Sequence, residues 1–120
     1  MIAALRGLVE DAGNDWVQVN VGGVVFHLHA PSSTLSALPQ PGASVSLHTH
    51  LQVREDSVAL FGFASRAELR MFQLLITVGG VGPRLALTLL SAMSVDDLAL
   101  ALASEDTVRL SAVSGVRAAS

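Results

Sequence analysis

The chain contains no cysteine, no lysine and no tyrosine, and each absence limits what the protein can be. Without cysteine it forms neither disulfides nor thiolate metal sites, which agrees with a cytoplasmic protein. One Trp and four Phe are few aromatic residues for a protein that binds single strands by base stacking. The apolar stretches are interrupted by Arg, Asp, Pro or Gly, and the N-terminus lacks the features of a signal peptide. We therefore expect a cytoplasmic protein that has no membrane span.

The net charge of −3 counts against a general nucleic-acid binder, which is usually basic. The excess of acid lies in residues 1–63, whereas residues 64–120 balance five arginines against five acidic residues. Phosphate binding by backbone amides and helix dipoles also needs fewer basic side chains than a lysine-rich groove. The second half of the chain therefore remains a candidate for binding nucleic acid.

The first half of the chain has the period-two alternation of strands with one buried face. The alternating segments are 16–21, 24–29 and 44–53, and residues 2–9 and 57–63 complete a predicted set of five. Gly22-Gly23 suits a two-residue hairpin turn. A short segment between Pro31 and Pro39 predicts one helical turn that covers an end of the barrel. Five short strands with one small helix predict a barrel of the oligonucleotide-binding (OB) type.

The second half of the chain changes to a helical period near Ala64. Ser65 and Glu68 form a capping box at the start of the first predicted helix. Ser94 with Asp97 starts another helix over residues 95–103, and Ser104 starts a last short one. The sequence therefore predicts an all-α domain after the barrel, with the domains at residues 1–63 and 64–120.

The segment between the first two helices of this domain is the most informative in the chain. Gly80 and Gly82 suit a tight turn around Val81 and leave room for a ligand near the backbone. Pro83 suits the first helical position, where the unpaired amides and the helix dipole favour a phosphate beside Arg84. The pattern is that of a helix-hairpin-helix, which binds nucleic-acid backbone without reading bases. A plain turn between two helices has the same pattern, so the short motif alone leaves both interpretations open.

A partial second copy of the pattern follows 35 positions later. It consists of Leu110, Val113, Gly115 and Val116. Repeats of this size usually indicate duplicated supersecondary units. Arg117 stands where the second glycine of the hairpin belongs, and the sequence reaches Ser120 before another helix. We therefore expect one complete hairpin and one incomplete hairpin.

Two groups of polar residues in the first half are further candidates for function. Glu55 and Asp56 lie between two apolar strands and should form the tip of a hairpin; the residues alone favour a solvated turn over a carboxylate pair directed at a polyanion. Two histidine pairs, at residues 27 and 29 and at residues 48 and 50, would form a zinc site only if their strands were adjacent. Because alternation alone places such pairs on one face, the sequence predicts no metal site.

Four segments carry a resemblance to a known family, and together they span nearly the whole chain. They are MIAALRGLVE, VGGVVFHLHAP, VREDSVALFGF and LLITVGGVGPRLALTLLSAM. The sequence resembles the RuvA family, bacterial Holliday-junction proteins that act with the RuvB motor and the RuvC resolvase in recombination and repair of DNA damage. The resemblance implies an OB-type barrel followed by two helix-hairpin-helix motifs, in a homotetramer or octamer that holds a four-way DNA junction open.

The resemblance also implies a role for each candidate residue. Glu55 and Asp56 match an acidic pin that keeps crossing strands apart, which reverses the interpretation as a solvated turn. Residues 80–84 match the first hairpin, whose amides and basic side chain hold phosphates. The second hairpin matches only through Ser114, Gly115 and Val116. Arg117 departs from the family pattern, so we expect the second hairpin to hold phosphate less tightly than in the family.

We therefore expect a non-catalytic subunit that binds four-way DNA junctions and uses no cofactor. Family members continue into a third domain that binds RuvB; this sequence contains none, so we expect RuvB binding to be lost. The main alternative is a truncated oligomerisation module with weak or lost DNA binding. A single-strand binder and a metal-dependent nuclease that uses the acidic turn are less favoured.

Overall fold

A computed structural model describes residues 1–104, which form a five-stranded barrel with one short helix, followed by three further helices. The elements are β1 (Ala4–Ala12), β2 (Trp16–Val21), β3 (Val24–His29), α1 (Ser32–Ser36), β4 (Ser44–Val53), β5 (Val58–Phe63), α2 (Arg66–Leu75), α3 (Pro83–Ala92) and α4 (Val95–Ala103). Two compact units divide after Leu69. The predicted second hairpin at Gly115, Val116 and Arg117 lies outside the described residues, as does the short helix predicted after Ser104.

The barrel is closed in the strand order β1-β2-β3-β5-β4. The β3–β5 pair is parallel and the other neighbouring pairs are antiparallel. Alternation of side chains directs one face of each strand inward, and that face is apolar. The buried core consists of Leu5, Val9, Val17, Val19, Leu28, Ala30, Leu47 and Leu60. The predicted OB-type barrel is confirmed.

The strands differ from the sequence prediction in the bounds of β1 and in the exposure of two end residues. Strand β1 covers Ala4–Ala12 rather than residues 2–9, because it continues to pair with β2 beyond an irregularity between Val9 and Asp11. Val24 and Val53 share the inward face by alternation, yet 58% and 66% of their surfaces are exposed. Both lie beside a hairpin turn, where their strands end and the strands described in residues 1–104 do not extend past them.

The predicted turn at Gly22-Gly23 is confirmed by its backbone angles. Gly22 and Gly23 have φ values of +60° and +97°, as a two-residue hairpin with right-handed twist requires. The side chain of Asn20 accepts a hydrogen bond of 2.8 Å from the amide of Gly23. Because β3 and β5 are parallel, this turn and the turn that precedes β5 lie at the same end of the barrel.

Helix α1 follows β3, at the opposite end of that strand from its hairpin turn. Leu35 and the following Leu38 pack against the barrel core, as the predicted covering turn requires. Thr34 is completely buried, and its hydroxyl accepts a 3.0 Å hydrogen bond from the amide of Ala64, directly after β5. The short helix is thus fixed to the barrel by apolar packing and by a buried hydroxyl.

The helical unit has a core of its own. Its buried residues are Met71, Phe72, Leu75, Val81, Ala86, Leu89, Leu90, Leu98 and Ala101. Helix α4 starts and ends as predicted, and the hydroxyl of its N-cap Ser94 accepts a hydrogen bond of 3.1 Å from the amide of Asp97. Within residues 1–104 no single helix is long and apolar enough to cross a membrane. Helices α3 and α4 together have the length and apolar composition of a span, but they are bent by 113° at the break between them.

Candidate nucleic-acid interface

The turn between α2 and α3 is shaped by one buried side chain and one left-handed glycine. The amide of Val81 donates to the carbonyl of Val78 over 3.1 Å, which closes a four-residue turn. Gly80 occupies the third position with φ +84°, as a type II turn requires. Val81 is 7% exposed, so it anchors the turn in the helical core. The flanking glycines remain on the surface.

Helix α3 starts directly after this turn without a side-chain cap. Gly82 is the N-cap with extended backbone angles (φ −90°, ψ 177°), and Pro83 follows as the first helical residue. The first amide to find a partner within the helix is that of Ala86, which donates to the carbonyl of Gly82 over 3.0 Å. The amides of Arg84 and Leu85 precede that bond. They lie at the positive end of the helix dipole, where an anion is stabilised.

The outer surface of the turn is open. Among the described residues, a Cβ atom added at Gly79, Gly80 or Gly82 would meet no atom within 4 Å apart from those of its chain neighbours. Arg84 is exposed, and no residue in the described part of the chain pairs with its guanidinium. The turn therefore offers accessible backbone, the amides that precede the first intrahelical bond and one positive charge, which together suit a phosphate group.

The acidic residues lie at the tip of a hairpin, as predicted. Strands β4 and β5 pair as far as Val53 and Val58, and the amide of Arg54 donates to the carbonyl of Ser57 over 2.8 Å. Glu55 and Asp56 are therefore the two central residues of the turn, and both are exposed. Two carboxylates on so narrow a projection repel phosphate groups that approach them.

The histidine pairs lie on strands that are not neighbours. Strand β5 separates β3 from β4, so Phe61 stands between His29 and His50, with ring centroids 5.4 Å and 6.3 Å from theirs. His27 stacks instead on Trp16, with centroids 5.2 Å apart. Within residues 1–104 no group of three or more His, Cys, Asp or Glu side chains is placed to hold a metal ion.

Two exposed valines flank the acidic turn, a feature that the sequence pattern does not predict. Alternation places Val53 on the inward face of β4, but Val53 and its cross-strand partner Val58 are 66% and 68% exposed directly beside the carboxylates. Their position next to a predicted turn was the available signal, because strand ends project beyond the barrel wall.

An OB-type barrel followed by a helical hairpin with an accessible glycine turn defines the structural class of this protein. Comparison with protein families agrees with both parts. The family model described as "RuvA N terminal domain" matches residues 1–62, and the model described as "SAM-like Helix-hairpin-helix tandem" matches residues 72–120.

Similar proteins are found in several bacteria. The chain is 46% identical over 116 residues to a protein of Chloroflexus aggregans, and 47% identical to proteins of Symbiobacterium thermophilum and Alkalilimnicola ehrlichii. Each of the three is named "Holliday junction branch migration complex subunit RuvA". The matches cover 97% of this chain and 60%, 57% and 56% of those relatives. The chain belongs to the RuvA family, and it spans about 60% of the length of these relatives.

Proposed function

We propose that this chain binds four-way DNA junctions as the non-catalytic, DNA-binding part of a branch migration complex. The observation that carries the proposal is the turn at residues 79–84, where exposed glycines and the exposed Arg84 adjoin helix amides for which the described residues supply no partner. Such a surface holds the phosphates of a DNA arm and does not distinguish bases. Membership of the RuvA family and the names of the relatives support this substrate.

The acidic hairpin supplies selectivity for the junction in this proposal. Glu55 and Asp56 repel phosphates, so they weaken binding to a continuous duplex and favour a crossover at which the strands separate. Assembly into a homotetramer would place four phosphate-binding turns on four arms, and avidity would then raise the affinity for the junction. Gly115, Val116 and Arg117 are proposed as a weaker second contact.

Competition between two DNAs tests the proposal. An immobile four-way junction and a linear duplex of the same arm sequence compete for the chain across a series of salt concentrations. We expect preference for the junction and a steep loss of affinity with salt, with a slope of about −0.9 per phosphate neutralised. Equal affinity for both DNAs, or no binding at moderate salt, would instead favour the oligomerisation module.

Two further parts of the proposal have separate tests. Sedimentation of the chain with and without junction DNA measures the proposed assembly. Loss of RuvB activation stays a prediction, and stimulation of the motor's ATPase by the 120-residue chain would contradict it.

A further inference from the structure

The inner, apolar face of the barrel continues onto the acidic hairpin. Leu51 pairs with Leu60, and two residues further along the same face Val53 pairs with Val58. Leu60 is 8% exposed, whereas Val53 and Val58 are 66% and 68% exposed. We call Val53 and Val58 the pin valines. They form an apolar cross-strand pair directly beside the two exposed carboxylates.

Hairpin stability alone does not require valine at these positions. A β-branched pair favours strand pairing, but threonine also does so and tolerates water better. Single exposed apolar residues are common on protein surfaces and need no explanation. The pin valines differ because two of them face each other at the base of a projecting acidic turn.

The charge of the turn restricts what can contact this pair. Glu55 and Asp56 repel the sugar-phosphate backbone, and they would repel the same turn of a second copy as well. Bases are the uncharged, largely apolar part of DNA, and at a crossover they must leave their stack before a strand changes partner. A base that has left its stack loses contact on its faces, and an apolar surface close by can replace that contact.

We infer that the pin valines are a docking surface for unpaired bases at the crossover of a four-way junction. This inference rests on the proposed function. The carboxylates keep backbones away from the hairpin, and the valines beside them stabilise the bases that the separation exposes. The acidic turn and the apolar pair then act on different parts of the same DNA strand.

A junction that carries 2-aminopurine at the crossover tests this inference. The fluorescence of 2-aminopurine rises when it leaves the base stack, and the anisotropy of a dye on a distant arm measures binding separately. At saturating protein, we expect Val53→Thr/Val58→Thr to lower the fluorescence increase by about threefold to tenfold, because methyl groups that bases would bury are replaced by hydroxyls. Val53→Leu/Val58→Leu should raise it. Neither change should alter junction affinity as strongly.

Val24→Thr/Val25→Thr is the control, with the same change of two exposed valines to threonine beside another turn. These valines are 58% and 47% exposed beside the other hairpin turn at the same end of the barrel, where the turn residues are Gly22 and Gly23 instead of two acids. The control variant should leave the fluorescence increase unchanged.

The outcomes separate this inference from the proposed function. If the wild-type chain does not bind the junction, the proposed function fails and the inference fails with it. If the chain binds but the threonine and leucine variants match the wild type in fluorescence, the inference alone is overturned. A change in assembly size with unchanged fluorescence would also overturn it, because the pin valines would then contact a second copy of the chain.

Discussion

Gly80 and Gly82 are glycines for different physical reasons. Gly80 has φ +84°, which a residue with a Cβ adopts only at a cost of roughly 1–2 kcal/mol. Gly82 has φ −90°, which any residue adopts, and in the described part of the chain a Cβ there would meet only its chain neighbours within 4 Å. The backbone therefore needs glycine at residue 80, whereas at Gly82 the lack of a side chain leaves the start of α3 more accessible.

Gly82→Ala separates access from stability. We expect DNA affinity to fall about tenfold, because a methyl group beside the amides of Arg84 and Leu85 keeps a phosphate from close approach. The free energy of unfolding should fall by only about 0.5 kcal/mol, since alanine is a slightly poorer N-cap than glycine. Anisotropy with labelled duplex and urea unfolding measure the two effects. Gly80→Ala is the contrasting variant and should lose more stability; equal DNA affinity of Gly82→Ala and wild type would contradict the role of this surface.

Arg84→Ala tests the positive charge beside the same turn. We expect weaker binding to every DNA, junction and duplex alike, and a salt slope reduced by about 1 for each turn that contacts DNA. Arg70→Ala removes the same charge from an exposed position on α2 and serves as the control. A loss confined to the junction would mean that Arg84 recognises its shape rather than a phosphate.

At the scale of elements, Glu68 fastens the first turn of α2 to α1. Its carboxylate accepts hydrogen bonds from the hydroxyls of Ser33, Thr34 and Ser65. The hydroxyl of Ser65 in turn accepts from the amide of Glu68, as a capping box predicts. Two of the three hydroxyls lie on α1. Glu68 therefore takes part in the N-terminal cap of α2 and also links α2 to α1.

Glu68→Ala should therefore cost more than the loss of an ordinary exposed acid. Three hydroxyls lose a charged acceptor, one of them on the completely buried Thr34, so we expect the free energy of unfolding to fall by about 1–2 kcal/mol. Glu68→Gln keeps one oxygen acceptor and should lose less. Chemical unfolding of the three proteins measures the order; an alanine variant as stable as the wild type would show that the link contributes nothing.

At the scale of the whole molecule, a chain of net charge −3 is proposed to bind a polyanion. A negative net charge does not prevent this binding, because salt screens charges that are more than about 8–10 Å apart. A phosphate therefore responds to the charges closest to it and much less to the sum over the chain. Glu55 and Asp56 lie together at the hairpin tip, and Arg84 lies at the start of α3. The local charge at each site, and not the net charge of the chain, therefore governs how that site interacts with a phosphate.

Neutralising the hairpin tip should change selectivity rather than raise all affinities equally. Glu55→Gln/Asp56→Asn removes two negative charges, so we expect duplex binding to tighten more than junction binding and the preference for the junction to shrink about threefold to tenfold. Competition between the two DNAs at fixed salt measures the ratio. Glu10→Gln/Asp11→Asn removes equal charge from exposed positions on β1 and should leave the ratio near that of the wild type.

Patterns of neighbouring residues determined the elements of this protein. Alternation predicted the strands, Gly22-Gly23 predicted their hairpin, and Ser94 with Asp97 predicted α4 over its full length. These features depend on hydrogen bonds and backbone angles within a few residues, so the local sequence is sufficient to predict them. The tip position of Glu55 and Asp56 followed for the same reason.

Only the tertiary structure decided which parts of those elements are covered. Alternation gave Val53 the same expected burial as Leu47, but Leu47 is 1% exposed and Val53 is 66% exposed, because the hairpin extends beyond the barrel wall. Strand order likewise placed β5 and Phe61 between the two histidine strands, which alternation within each strand cannot reveal. Burial and neighbourhood depend on contacts between distant segments, so they belong to the folded chain and not to its local patterns.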